Sequence, residues 1–229
     1  MNVLALVHGD DGPPGSFADV IAERGHALDT WAIAREPAPP QPIDDYGAVL
    51  LLGGAMHADQ EADHPWLRHE DELIRRLLDR RMPVLGVCLG GQLLAKAVGA
   101  RVGPAAAPEI GWHEVELVDG DDPVLGVLPP RFPAFQWHFY AFDVPPGGHE
   151  LARSAVCPQA FRLGDAACGV QFHPEVTAEI VTRWAELSPE EAPDGLLAET
   201  EERIDQWVVL GRALGSAFVR LAERGGVAP

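Results

Sequence analysis

Three side chains in this sequence have the type and setting for nucleophilic chemistry: Cys88, His173 and Glu175. Cys88 stands in Pro83-Val84-Leu85-Gly86-Val87-Cys88-Leu89-Gly90-Gly91-Gln92, a short apolar run that reaches a cysteine between glycines. The pattern reads as a buried strand, a sharp turn and a helix. Gly86 and Gly90 flank the cysteine as in a nucleophile elbow, with sulfur in place of oxygen. Such a turn forces its central residue into a strained backbone, and small neighbours keep the side chain accessible. The helix that follows points free N–H groups and its positive dipole end at the sulfur, which favours thiolate over thiol. A thiolate held there is a ready nucleophile. Without a base elsewhere in the chain, the same pattern would describe a packed core cysteine.

The base is found in Ala167-Cys168-Gly169-Val170-Gln171-Phe172-His173-Pro174-Glu175-Val176, which reads as a strand running out at a proline. Pro174 cannot continue the ladder and holds His173 extended. Residues i and i+2 of an extended chain point the same way. Glu175 can therefore grip one ring nitrogen of His173 and leave the other facing a nucleophile, the base and orienter of a triad. The other histidines have ordinary structural uses. His8 could cap a loop, His64 precedes a helix, and His69 lies in a charged helix. His26, His57, His113 and His149 lack an acid two residues on. His138, in Gln136-Trp137-His138-Phe139-Tyr140, is the one serious rival.

Elements that would position these groups alternate along the chain. Val3 to Val7 reads as a strand, Ser16 to Arg24 as a helix with Ser16 as N-cap, and His26 to Ile33 as a second strand. After a proline-rich loop, Gly47 to Leu52 is continuously apolar, as buried parallel strands are. His64 to Arg81 is a charged helix, and Pro83 to Val87 is the strand that delivers Cys88. This order predicts an α/β fold: a mostly parallel central sheet flanked by helices, with the site at the carboxyl ends of the strands. Shorter strands at Trp112 to Val118, Ala134 to Phe142, Ala160 to Leu163 and Gly169 to Phe172 predict a small antiparallel extension at the sheet edge. Helices at Thr177 to Leu187 and about Leu196 to Arg224 close the chain. On the second, Ile204, Trp207, Leu210, Leu214, Phe218 and Leu221 form a stripe read as packing on the chain's own sheet rather than as a dimer face. The whole of 1–229 is expected to be one domain, with 188–229 a helical extension packed on it.

With 229 residues the chain can bury a sizeable core. A formal charge of −18 disfavours nucleic acid and anionic membrane as partners. No stretch is long and apolar enough to span a bilayer, and the first residues read as a core strand rather than a signal peptide. The three cysteines, Cys88, Cys157 and Cys168, show no Cys-x-x-Cys pairing, which suits a reducing cytoplasmic setting. Asp119-Gly120-Asp121-Asp122 has cation-loop residue types but reads as a plain turn. Neither a metal nor another cofactor is expected.

At Gly86-Val87-Cys88-Leu89-Gly90-Gly91-Gln92 and Gln171-Phe172-His173-Pro174-Glu175, the sequence resembles the class I, triad-type glutamine amidotransferases. Leu51-Leu52-Gly53-Gly54-Ala55-Met56 resembles that family's glycine loop. Among its members the chain looks most like stand-alone proteins similar to the amidotransferase domain of GMP synthase. Ala55 stands where proline is expected, and Phe139-Tyr140 replaces a Gly-Asp pair. The resemblance implies a flavodoxin-like sheet and a Cys88-His173-Glu175 triad. It implies oxyanion-hole amides at Gly54 and Leu89, and substrate contacts at Gln92, Trp137 and His138. The implied reaction takes glutamine, or a γ-glutamyl compound, through a glutamyl thioester to glutamate and ammonia. A separate synthetase subunit could consume that ammonia. A γ-glutamyl peptidase on the same triad and a non-catalytic binding module of the same fold are the alternatives.

Overall fold

The apolar runs become the middle of one sheet. The computed structural model describes residues 1–10 and 12–225. In chain order its elements are β1 (Asn2–Val7), α1 (Ser16–Glu23), β2 (Ala27–Ala32), β3 (Tyr46–Leu51), α2 (Trp66–Asp79), β4 (Val84–Val87) and α3 (Leu89–Ala97). They continue with β5 (Val102–Leu117), β6 (Arg131–Phe142), β7 (His149–Arg153), β8 (Pro158–Leu163), β9 (Ala167–Val170), α4 (Ala178–Leu187) and α5 (Leu196–Gly225). The nine strands lie in the order β2-β1-β3-β4-β9-β8-β7-β5-β6. The half from β2 to β9 is parallel. The half from β9 through β8 and β7 to β5 and β6 is antiparallel.

Alternation along β1 shows why parallel strands read as unbroken apolar runs. Val3, Ala5 and Val7 enter one core with Phe17 and Ile21 of α1 and Trp207, Leu214 and Phe218 of α5. Leu4 and Leu6 enter the other with Leu73, Ile74 and Leu77 of α2 and Leu93 and Leu94 of α3. Both faces are covered, so both residue sets must be apolar. The α5 stripe is spent inside the molecule: Ile204, Trp207, Leu214 and Phe218 are buried, and Leu210 and Leu221 pack beside them.

The structure departs from the sequence reading at several edges. The antiparallel half is larger than a small extension. β5 begins at Val102 rather than at Trp112, and β7 has no counterpart in the reading. The first part of β5, Val102 to Pro104, pairs only with β6, and the register shifts before Glu109. Along that stretch the second side of the strand is unpaired, so Pro104 and the alanines that weaken any local strand signal are tolerated. β9 stops at Val170, short of Phe172, and α2 starts at Trp66 with Pro65 as its N-cap. The N-cap of α1 is Gly15, not Ser16. Gly15 has φ 51°, and a Cβ there would lie 2.1 Å from the Glu175 carbonyl oxygen, so close approach selects glycine. The last four residues of the expected extension, 226–229, lie outside the described residues.

Candidate active site

β4 carries the chain to Cys88, and α3 begins at the next residue. Cys88 is one of two described non-glycine residues with positive φ, at φ 51° and ψ −109°. Holding a side-chain-bearing residue there costs about 1–3 kcal/mol and needs a rigid surround. The Cys88 N–H donates to Val170 O on β9 at 2.8 Å, and the Gly90 N–H donates to Leu52 O at 3.1 Å. A Cβ on Gly90 would lie 2.0 Å from Leu51 O, so the elbow can sit this close to β3 only with glycine at that position. Leu89 is the first residue of α3, and its amide is one that the helix itself leaves without an acceptor.

His173 and Glu175 follow β9 in extended chain. His173 Nδ1 and Glu175 Oε1 are 2.8 Å apart, and both residues are buried. The segment is held along its backbone. The His173 N–H donates to Phe135 O at 2.9 Å, and the Trp207 indole donates to His173 O at 2.9 Å. The first amide of α1, on Ser16, donates to Glu175 O at 2.9 Å. Thus two helices distant in sequence fix the position of the imidazole–carboxylate pair. His173 Nε2 is buried and has no hydrogen-bond partner among the described residues, and neither has Glu175 Oε2.

That ring nitrogen belongs to the side of the imidazole that meets sulfur. Burial alone lowers the His173 pKa. The Glu175 carboxylate and the Cys88 sulfur beside the ring outweigh burial and raise it to about 10. The imidazole therefore keeps its proton through neutral pH. Gln171 Nε2 donates to Cys88 Sγ at 3.6 Å, and Sγ lies 3.9 Å from the Trp137 carbonyl oxygen. Gln171 precedes His173 by two residues. The same-face alternation that pairs His173 with Glu175 was the signal available for it.

A cavity of about 220 Å³ opens at the elbow, lined among others by Gly54, Leu89, Gln92, Trp137, His138 and His173. All the residues expected around the substrate thus meet one space. The Gly53-Gly54 loop packs directly against His173 and Cys88: a Cβ on Gly53 would lie 3.0 Å from His173 Cε1 and 3.7 Å from Cys88 Cβ. Gln92 is buried, and its Nε2 donates to Tyr140 O at 2.8 Å and to Gln171 Oε1 at 3.3 Å. Its amide ties α3 to β6 while its side chain forms cavity wall. Trp184, whose ring meets His173 edge-on at 4.7 Å, and Glu191 complete the wall, and no local pattern in the sequence marks either of them.

Two further buried histidines, His8 behind this surface and His138 in it, are each paired with a glutamate. His8 Nε2 lies 2.9 Å from Glu70 Oε2, and His8 Nδ1 lies 3.0 Å from Gly53 O. A carbonyl can only accept, so Nδ1 carries hydrogen, and the carboxylate takes the hydrogen on Nε2. Burial lowers the His8 pKa, and Glu70 with the Gly53 carbonyl raises it further than burial lowers it. His8 also stacks on Trp66, with ring centroids 5.3 Å apart. His138 Nε2 is 3.2 Å from Glu109 Oε2. Burial raises the Glu109 pKa, but His138 and Ser154 bring it below the usual carboxylate range.

Glu109, His138 and Cys157 are the described cluster with metal-ligand types, their ligand atoms lying within 4.8 Å of one another. Ser154 Oγ, Gln159 Nε2 and Cys157 Sγ all donate to Glu109 Oε2, which makes the cluster an internal hydrogen-bond hub. Burial and Glu109 push the Cys157 thiol up to about 12, and burial pushes Cys168 up to about 11. Both hold their protons at neutral pH. Asp122 is committed to a buried bidentate pair with Arg162, both contacts at 2.8 Å, and caps the turn at Val124 and Leu125. No helix among the described residues is long and apolar enough to cross a membrane.

The family description "Glutamine amidotransferase class-I" matches residues 15–181. A glutamine-hydrolyzing GMP synthase of Aeropyrum pernix is 33% identical over 223 residues, covering 93% of the chain, and the chain spans only 42% of that enzyme's length. One subunit of a glutamine-hydrolyzing GMP synthase of Haloarcula marismortui is 38% identical over 141 residues, 60% of this chain and 68% of that one. The crystal structure of a glutamine amidotransferase from Thermotoga maritima superposes with TM-score 0.88 at 34% identity, covering 97% of this chain and 98% of that one.

Proposed function

The chain belongs to the class I glutamine amidotransferase family, and we propose that it hydrolyses the side-chain amide of glutamine with Cys88, His173 and Glu175 as its triad. One observation carries the reading: a strained cysteine at a helix N-terminus faces an imidazole whose far nitrogen is held by a buried carboxylate and whose near nitrogen has no other partner. The Cys88 thiolate attacks the amide carbon, and the carbonyl electron pair moves to oxygen. Backbone N–H groups of Gly54 and Leu89 meet that oxyanion, a contribution of about 3 kcal/mol per donor in such sites. The His173 imidazolium gives its proton to the departing nitrogen, and ammonia leaves as the tetrahedral centre collapses to a glutamyl thioester. Water then attacks the thioester. His173 takes the water proton, glutamate departs, and the thiolate is restored. Glu175 keeps the ring oriented throughout.

No metal or other cofactor enters this sequence of steps. The Haloarcula marismortui relative is one subunit of its synthase, which supports an arrangement in which a separate synthetase subunit uses the ammonia. The protonated, unpaired thiols of Cys157 and Cys168 support a reducing, cytoplasmic setting. The test is glutamate release from glutamine by the purified chain, combined with labelling by a glutamine-mimicking electrophile. Turnover in wild type, with label recovered on Cys88, is the expected result. Turnover that survives Cys88→Ala would overturn the assignment.

A further inference from the structure

Part of the cavity wall is built from residues that lie beyond the span matching the family, which ends at 181. Trp184 and Leu187 come from the end of α4, and Ser188 and Glu191 from the segment leading to α5. Among the described residues lining the cavity, Glu191 is the sole carboxylate, and none is a lysine or arginine. Its Oε2 accepts the indole N–H of Trp137 at 3.0 Å, which fixes the carboxylate against the wall. The indoles of Trp137 and Trp184 meet edge to face, 6.0 Å apart at 81°. A carboxylate in a wall without a lysine or arginine suits a cation, because charge pairing favours one.

We propose that Glu191 with Trp137 forms an ammonium subsite that receives the α-ammonium of the γ-glutamyl substrate. The proposal rests on the amide-hydrolase reading of the same cavity. Trp137 supplies the scale. Its carbonyl oxygen lies 3.9 Å from Cys88 Sγ, and its ring nitrogen lies 3.0 Å from Glu191. One residue therefore spans the distance from sulfur to carboxylate. A γ-glutamyl group places four bonds between its carboxamide carbon and its α-nitrogen, a comparable span once a sulfur contact and an ammonium contact are added at its ends. Carboxylates accept several donors, so the Trp137 bond leaves room for the ammonium. Substrate choice then lies in the α4–α5 segment, while bond breaking lies in the part of the chain that matches the family.

The test compares glutamine with glutaric acid monoamide, which is glutamine without its α-ammonium. Wild type is expected to favour glutamine in kcat/KM by about 10- to 100-fold, the range for a hydrogen bond to a charged group. Glu191→Gln is expected to raise KM for glutamine by at least about tenfold with kcat changing far less, and to collapse the preference to within a few-fold. Glu191→Asp, which keeps the charge, is expected to restore part of it; a merely structural role would not follow charge in this way. Equal use of both amides by wild type would overturn the subsite, as would an undiminished preference in Glu191→Gln. Failure of wild type to hydrolyse either amide would instead overturn the underlying hydrolase reading, and the subsite with it.

Discussion

Two buried histidine–glutamate pairs lie within the same half of this molecule, and they differ in what they leave free. His173 and Glu175 are two residues apart, and their contact follows from extended backbone. One ring nitrogen is bound and the other is open toward Cys88. His8 and Glu70 are 62 residues apart, brought together by β1 and α2, and both ring nitrogens of His8 are occupied. A histidine with one open nitrogen can move a proton during a reaction. A histidine with both nitrogens donating is a fixed cation, and its use is structural. His8 grips the Gly53 carbonyl, and because the peptide is planar this sets the direction of the Gly54 N–H on the other side of the same bond. The second pair thus aims the amide proposed to receive the oxyanion, while the first is the pair proposed to carry the proton transfer.

Removing the sulfur gives the largest effect, because the open nitrogen of His173 then has nothing to act on. Cys88→Ala should lower glutamine hydrolysis by about 10⁴-fold or more. Circular dichroism and melting temperature should stay near wild type, since the change removes one sulfur atom at the cavity wall and keeps the backbone of the elbow. Glu175→Gln should cost about 100-fold in kcat, within the range for disturbing a general acid–base group. It should also move the alkaline limb of the pH profile. His173 has its pKa raised from 6.5 to about 10, so the imidazolium persists through neutral pH and is lost as pH rises through about 10. Removing the carboxylate that raises it brings that limb down. A limb that stays in place while kcat falls would separate orientation from charge and break the account of how the pair works.

The contrast between the pairs also explains what could be read from the sequence. His173 and Glu175 obey a local rule, alternation in extended chain across a proline, so their contact is written in the five residues Gln171-Phe172-His173-Pro174-Glu175. Cys88 obeys another, a residue between glycines after an apolar run. His8 with Glu70 obeys none, because their meeting depends on where β1 ends and how α2 crosses the sheet. Trp207 was legible only as one member of a helical stripe. That its indole would hold the His173 carbonyl depends on where α5 docks. The parallel half of the sheet showed through because two covered faces demand unbroken apolar runs. The start of β5 did not, because strand character there comes from pairing with β6 and not from the local residues Gly103-Pro104-Ala105-Ala106. Glu191 was invisible for the same reason as Glu70: nothing near it in sequence says that it faces the cavity.

Neutralising the second pair sharpens the comparison with a smaller loss of activity. Glu70→Gln leaves a buried imidazole without its counter-charge, and removing one member of a buried pair costs about 3–5 kcal/mol. For a chain of this size that is roughly 6–20 °C in Tm. Activity should fall about tenfold through a misaimed Gly54 amide, less than for Glu175→Gln, because no proton passes through His8.

The smallest effect is the pH dependence of that stability. The His8 pKa is raised above its ordinary 6.5, so its contribution is complete below about pH 6.5 and disappears as pH rises through the folded value. The Tm gap between wild type and Glu70→Gln should therefore be widest near pH 6 and narrow toward alkaline pH. His173 titrates in both proteins, so its own contribution cancels in the gap. A gap that stays constant from pH 6 to 10 would mean that His8 is neutral in the folded chain. One ring nitrogen would then be unable to donate, and the two pairs would be alike in the feature that distinguishes them here.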